Sequence, residues 1–321
     1  MMVRLGLSLY EIPDNGQGEC IFAQDVKEIT KCAAAGKAER QCDMRDIPRE
    51  QTLSLHFPRP KTYNRGECAC TPVQFFVILS MQRSGSGWFE TLLNSHPNIS
   101  SNGEIFSVKQ RKSNISSILT TLDTVYSLEW NSSSAKNECV SAVGFKWMLN
   151  QAVMVYHRQI VNYFNWKGVS VIFLFRRNLL QRLISVLANA YDRDAKQLNG
   201  THKSHVHTRE EAEVLAQYKP MLNVSVLIRD LSNVERMMED SLQHFKSTRH
   251  IILYYEDLIN NHRALADVQE FLSVPIRRLE SRQVKIHTRP LSQQIENWED
   301  VFNTLKGTQY ENFLHHTDYL T

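Results

Sequence analysis

The sequence predicts an α/β protein, with a central parallel sheet held between helices in three layers. Three observations carry this expectation. Apolar runs of strand length recur at Phe75–Leu79, Cys139–Leu149, Val169–Phe175 and His250–Tyr255, and near-continuous apolar content is what a parallel strand covered on both faces requires. Helical stretches separate these runs, and that alternation argues for crossover connections in one parallel sheet. Finally, the first run enters a small-residue turn, Ser84-Gly85-Ser86-Gly87, which opens an amphipathic helix bearing Phe89, Leu92 and Leu93. Strand, small loop and helix N-terminus in that order make a P-loop-type fold.

The elements follow in order. Residues 1–70 carry scattered Gly, Pro and Cys without periodicity and read as an irregular, cysteine-containing N-terminal extension, with one domain over 71–321. Residues 98–137 are rich in Ser, Thr and Asn, with one helical patch at Ile115–Leu122. The strands at 139–149 and 169–175 precede a helix over 179–195, a polar loop over 197–208 and a long charged helical stretch over 209–247. The strand at 250–255 and a helix over 261–272 complete the alternation. No internal repeat is visible.

Composition bounds the function class. The chain has 321 residues, 42% hydrophobic and 22% charged, with a formal net charge of +3. These are ordinary values for a globular protein, and the mild basic excess suits an anionic ligand without calling for nucleic acid. No stretch reaches the ~18 apolar residues of a membrane-spanning helix, and Met1–Tyr10 is too short and poorly flanked for a signal peptide. Cys20, Cys32, Cys42, Cys68 and Cys70 crowd the first 70 residues, with Cys139 apart. Clustered cysteines in an even count fit a disulfide framework in an oxidising lumen. The five sequons at Asn98, Asn114, Asn131, Asn199 and Asn223 point the same way. The lack of a targeting segment points to the cytoplasm, unless an N-terminal anchor is missing.

The turn at 83–87 is the most informative stretch. Its backbone N–H groups and the helix dipole attract negative charge, and Arg83 adds a cation at the mouth. A Walker A loop would place Lys and a magnesium-binding hydroxyl after the last glycine, but here Trp88 follows Gly87. A phosphate cradle without the metal partner fits a nucleotide ligand without nucleotide hydrolysis, and argues against a kinase or NTPase. The plainer alternative is a tight strand-to-helix turn using glycine for its backbone freedom. Arg176-Arg177-Asn178 ends the strand at 169–175, where α/β sheets bind ligands, and Ser185 lies eight residues beyond Arg177. Arg177 and Ser185 can grip one phosphate. Otherwise the arginines are solvated strand-end charges.

These motifs resemble those of the sulfotransferases that use 3′-phosphoadenosine 5′-phosphosulfate (PAPS). The resemblance lies in Arg83-Ser84-Gly85-Ser86-Gly87-Trp88, in Arg177-Asn178 with Ser185, and in Tyr255-Glu256-Asp257-Leu258, and it leaves the first 70 residues uncovered. His96-Pro97 followed by Gly103-Glu104 is similar to the carbohydrate, nodulation-type and tyrosylprotein branch. Lys146 lacks the nearby catalytic His of the cytosolic branch.

The resemblance implies transfer of a sulfuryl group to an acceptor hydroxyl, on a glycan before peptide tyrosine, leaving adenosine 3′,5′-bisphosphate (PAP) and needing no metal. It implies a glycoprotein of the Golgi lumen, with the cytoplasm as the alternative. It assigns the phosphosulfate to Arg83, Ser84, Gly85, Ser86, Gly87 and Trp88, and the 3′-phosphate to Arg177 and Ser185. Tyr255, Lys285, Thr288 and Arg289 are further cofactor contacts, the last three in a basic loop that closes over the nucleotide. Arg83 and Lys146 are expected to stabilise charge in the transition state, and Glu104 to act as general base, with His96 the next candidate. The rival class is a nucleotide-binding relative without acceptor chemistry. His202, His205 and His207 could ligate zinc, but a mobile acceptor-facing loop is the expectation, since no cysteine or apolar shell accompanies them.

Overall fold

The computed structural model describes residues 55–130 and 139–315. Cys20, Cys32, Cys42 and Asn131, named above, lie outside them. Five parallel strands form the sheet: β2 (Val73–Ser80), β3 (Ile99–Ser101), β4 (Ala142–Met148), β5 (Val169–Phe175) and β6 (His250–Tyr254). Their order is β3-β4-β2-β5-β6. A short strand, β1 (Leu55–His56), pairs antiparallel with the start of β2. β2, β4 and β5 are buried along their whole lengths, which is why they read as continuous apolar runs. The three-residue β3 was not legible from pattern.

Because side chains alternate across a strand, the sheet sorts into two cores. On one face Phe75, Val77, Phe145, Trp147, Val171 and Phe173 meet α2 (Ile115–Tyr126) and α3 (His157–Lys167). On the other, Phe76, Ile78, Ile172 and Leu174 meet α1 (Ser86–Ser95) through Phe89 and Leu93. The same face takes Leu258 and Val268 from α7 (Tyr255–Asn260) and α8 (His262–Phe271). The expected three layers are thus present. A third cluster joins α4 (Leu179–Ala195) to α6 (Val224–His244) and to the C-terminal α9 (Leu291–Gln294) and α10 (Trp298–Leu305).

Three boundaries differ from expectation. The helical stretch over 209–247 is two helices, α5 (Arg209–Leu215) and α6, interrupted around Pro220, which cannot donate to a helical ladder. α3, whose buried face is Ile160, Val161, Tyr163 and Phe164, was not among the expected elements. Residues 55–70, assigned above to an extension, are tied to the sheet. β1 pairs with β2, Arg65 donates to Thr71 and Val140 carbonyls at 3.1 Å each, and Cys68 forms a disulfide with Cys139. No described cysteine is a free thiol. Among the described residues no helix is long and apolar enough to cross a membrane.

β4 approaches β2 so closely at Gly144 that a Cβ there would lie 2.3 Å from the Phe76 carbonyl oxygen and 2.6 Å from its ring. Neither a backbone oxygen in a ladder nor a buried ring can step aside. Gly144→Ala is therefore expected to destabilise the fold by about 1–3 kcal/mol through overpacking. Chemical denaturation measures this, and an unchanged midpoint would mean that the strands can part at no cost.

Candidate active site

The site lies beyond the carboxyl ends of β2, β4 and β5, where the connections from β2 and β5 diverge, the usual ligand position in such sheets. A cleft of about 720 Å³ opens there. Its floor is the turn between β2 and α1. Gly85 precedes α1 with φ of 82°, and a Cβ on it would lie 2.2 Å from the Tyr255 ring. A Cβ on Gly87 would lie 2.3 Å from the His205 ring. Side chains are thus excluded from both positions, and the backbone itself faces the cleft. Phe89 N–H is the first to close a helical bond, onto the Gly85 carbonyl at 3.0 Å, so the amides before it are available to an anion. Ser84 is buried beneath the turn, at 1% exposure, and Trp88 stands edge-on to Tyr255 with ring centroids 5.7 Å apart.

One wall is cationic. Arg83, held at φ of 65°, donates from Nε to Ser185 Oγ at 2.8 Å and from Nη1 to the Ser204 carbonyl at 2.7 Å. Arg176 and Arg182 line the same wall and are buried. Arg176 donates to Gln181 Oε1 at 2.7 Å and lies over the Tyr255 ring. Arg182 Nε is buried and has no hydrogen-bond partner. Burial, reinforced by the charge of Arg176, lowers Arg83 and Arg182 to about 10 each.

Arg177 is not on this wall. Its guanidinium forks onto Asp257 at 2.5 and 2.7 Å and covers Tyr254; the side chain is 49% exposed. Of the pair expected to grip one phosphate, Ser185 faces the cleft beside Arg176 and Arg182, while the Arg177 side chain turns to Asp257. The cause lies in the Tyr255-Glu256-Asp257 run. The Glu256 carboxylate accepts the amides of Arg177 at 3.0 Å and Asn178 at 3.1 Å, while Asp257 draws the Arg177 side chain outward. Asn178 then caps α4 by accepting Gln181 N–H at 3.0 Å.

The opposite wall carries Lys146 and Glu104. Lys146 Nζ lies 3.4 Å from Glu90 and 3.8 Å from Glu104. Glu90, on α1 and absent from the sequence reading, accepts from Ser101 Oγ at 2.6 Å and Gly103 N at 2.8 Å, and so fixes the turn that presents Glu104. Glu104 also accepts from Gln151 Nε2. It precedes a three-residue 3₁₀ turn and makes no capping bond there. Lys146 is at once a cleft residue and an ion-pair partner. Gln82, bonded to Asn150 at 2.6 Å, and Met148 continue this side.

The loop at 284–290 is divided. Lys285 and His287 line the cleft, whereas Thr288 and Arg289 are exposed and do not line it. Burial and the charges of Arg83, Arg176 and Lys285 hold His287 down to about 3. His96 is remote: at 1% exposure it bonds the Pro275 carbonyl at 2.8 Å and accepts Asn98 N–H at 3.0 Å. The three loop histidines diverge. His202 pairs with Asp192 at 2.7 Å, His205 enters the cleft, and His207 contacts the Arg282 carbonyl at 3.3 Å. Among the described residues no group of three potential ligands is placed to hold a metal ion.

No family profile matches the chain. It is 25% identical over 244 residues to nodulation protein H of Rhizobium meliloti, covering 72% of this chain and 90% of that protein. It is 27% identical over 246 residues to nodulation protein H of Rhizobium tropici, covering 74% and 92%. Among solved structures it is similar to a sulfotransferase from Alicyclobacillus acidocaldarius, with a TM-score of 0.37 and 12% identity over 75% of this chain and 96% of that one. The phosphate cradle and the cationic wall come together at one cleft, in a chain similar to nodulation protein H over nine-tenths of that protein's length.

Proposed function

We propose that the enzyme transfers the sulfuryl group of PAPS to a carbohydrate hydroxyl. The observation that carries the donor is the cationic wall. Arg83 and Arg182 are desolvated beside a helix N-terminus, and among the described residues neither is neutralised by a carboxylate. Buried charges of this kind call for an anion. A nucleotide with phosphates at both ends fits, one at the Gly85–Gly87 cradle and one against Ser185, Arg182 and Arg83. When bound, PAPS supplies the sulfuryl group. The loop amides and Lys146 bear the charge that develops on reaction, and Glu104 takes the acceptor proton. Lys146, 3.8 Å away, helps to hold Glu104 at the cleft. Tyr255 and Lys285 flank the nucleotide. The amides of Gln82 and Asn150 beside Trp88 suit a hydroxyl-rich acceptor.

PAP should raise the melting temperature of the enzyme, while ATP with Mg²⁺ should raise it little. Arg182→Ala should weaken PAP binding by about 2–4 kcal/mol, the usual cost of deleting one member of a buried charge contact. Arg177→Ala should cost no more than about 1 kcal/mol, as expected of a surface ion pair. Equal losses in a calorimetric titration would return Arg177 to the site.

Glu104→Gln should leave PAP affinity intact and lower turnover by ~10²-fold or more, the ordinary worth of general-base catalysis. Glu104 makes no side-chain capping bond, so any stability change should come from its contacts with Lys146 and Gln151. Turnover near that of the parent would remove Glu104 from the chemistry.

The compartment is a separate matter. The relatives are rhizobial and give no support to the Golgi lumen. The Cys68–Cys139 disulfide supports an oxidising compartment in its place. Of the described sequons, Asn98 donates to the Cys139 carbonyl, and Asn114 and Asn223 cap α2 and α6. Asn199, exposed on the loop after α4, is the one free for a glycan. Non-reducing peptide mapping of protein from its native source should show the Cys68–Cys139 bridge. Free thiols at both would place the enzyme in a reducing compartment.

A further inference from the structure

The loop between α4 and α5 is built to hold one imidazole still. On one side of His205, the Ser204 carbonyl accepts from Arg83 at 2.7 Å. His202 is fixed by Asp192 at 2.7 Å, and Asp192 also accepts the Lys203 amide at 3.2 Å. On the other side, Val206 is fully buried and bridges Val284, whose N–H donates to the Val206 carbonyl at 2.9 Å. Val206 anchors a small apolar cluster with Leu215, Val284 and Ile286. Both neighbours of His205 are thus secured, while its own ring enters the cleft. The ring edge carrying Nε2 rests on Gly87, with Nε2 and Cε1 at 2.3 and 2.4 Å from where a Cβ would stand. That is the first turn of α1, the floor of the anion cradle.

We propose that His205 is a direct ligand of the anion held at this turn, its Nε2–H bonding the transferring group in the substrate complex and the 5′-phosphate in the product complex. This rests on the sulfotransferase reading of the cleft. His205 transfers neither proton nor group; it adds a donor and, once the anion is bound, a positive charge. The cradle lacks the lysine of a Walker A loop, and His205 reaches the same place from above.

The charge is conditional. Arg83 from the turn after β2, Lys146 from β4 and His207 from its own loop all oppose a proton on His205, and with desolvation they hold it at about 4. Glu104 is the carboxylate on the facing wall, and Lys146 already engages it. At neutral pH the ring is therefore neutral in the free protein. A bound anion reverses the field, and the ring takes up a proton. Binding then strengthens as pH falls from the bound midpoint toward the free one.

The test follows the His205 ring by NMR in the full chain, with its resonance identified by loss in His205→Gln. In the free protein it should titrate near 4, the value that its surroundings impose. With saturating PAP its midpoint should rise to histidine's ordinary ~6.5 or above. Adenosine 3′-monophosphate, which lacks the 5′-phosphate, should leave it unmoved. Calorimetry of PAP binding at pH ~5.5 in two buffers of different ionisation enthalpy should register net proton uptake, diminished in His205→Gln. His205→Ala should lower turnover by ~10²-fold or more, and His205→Gln, which keeps a donor, by less. PAP binding with an unmoved His205 midpoint overturns the proposal and leaves the sulfotransferase reading standing. Failure of PAP to bind overturns both.

Discussion

Arg83, Arg176 and Arg182 converge on one wall of a cleft floored by a helix N-terminus, and most of the site is arranged around that unfavourable gathering of positive charge. Burial lowers the affinity of Arg83 and Arg182 for a proton, and the charge of Arg176 lowers it further. The protein tolerates this because the cations are braced by neutral groups. Ser185 and the Ser204 carbonyl hold Arg83 in place without cancelling its charge, and Gln181 and the Tyr255 ring contact Arg176. A carboxylate in that wall would stabilise the free protein and compete with an anionic ligand. The carboxylates are instead on the far wall around Lys146, or outside the cleft on Arg177.

That division explains the arrangement of the third motif. Tyr255, Glu256 and Asp257 are consecutive, yet each does something different. Tyr255 shields the cradle at Gly85 and Trp88. Glu256 caps two amides at the end of β5. Asp257 withdraws Arg177 from the cleft. The strand end at β5 and the helix start after β6 therefore position one another. Likewise Glu90, on the helix that begins at the cradle, anchors the turn bearing Glu104. The acid on one wall and the cradle on the floor share one rigid support.

Two loops far apart in sequence, 196–208 and 284–290, join over the cleft through Val206 and Val284. His205 and His287 enter from them, and burial, with the cations they face, lowers the proton affinity of both. The free site thus limits its positive charge, and bound anions restore it. The loop pair behaves as one cover, because a bridge and an apolar cluster link the two segments.

The layered parallel fold was legible because β2, β4 and β5 are buried on both faces, and burial of that kind leaves a local apolar signature. The cradle was legible for a similar reason: small residues between a strand and a helix are a local requirement. Glu104, Lys146 and Ser185 could be nominated because they sit at fixed distances from those local signals. The choice between Arg176 and Arg177 was not open to sequence, since adjacent strand-end residues point apart and only Asp257, 80 residues on, decides which one leaves. Glu90, Arg182 and His287 went unassigned, and His205 was read only as part of a loop, for the same reason. Their surroundings come from neighbours brought close by the sheet order, and a basic loop does not declare that Lys285 turns inward while Thr288 and Arg289 stay exposed. The sequence by itself determined the layers, the cradle and the sign of the ligand's charge, all of which follow from local pattern. Tertiary structure alone decided which cations remain free for that ligand, because pairing depends on distances between segments that the chain order does not contain.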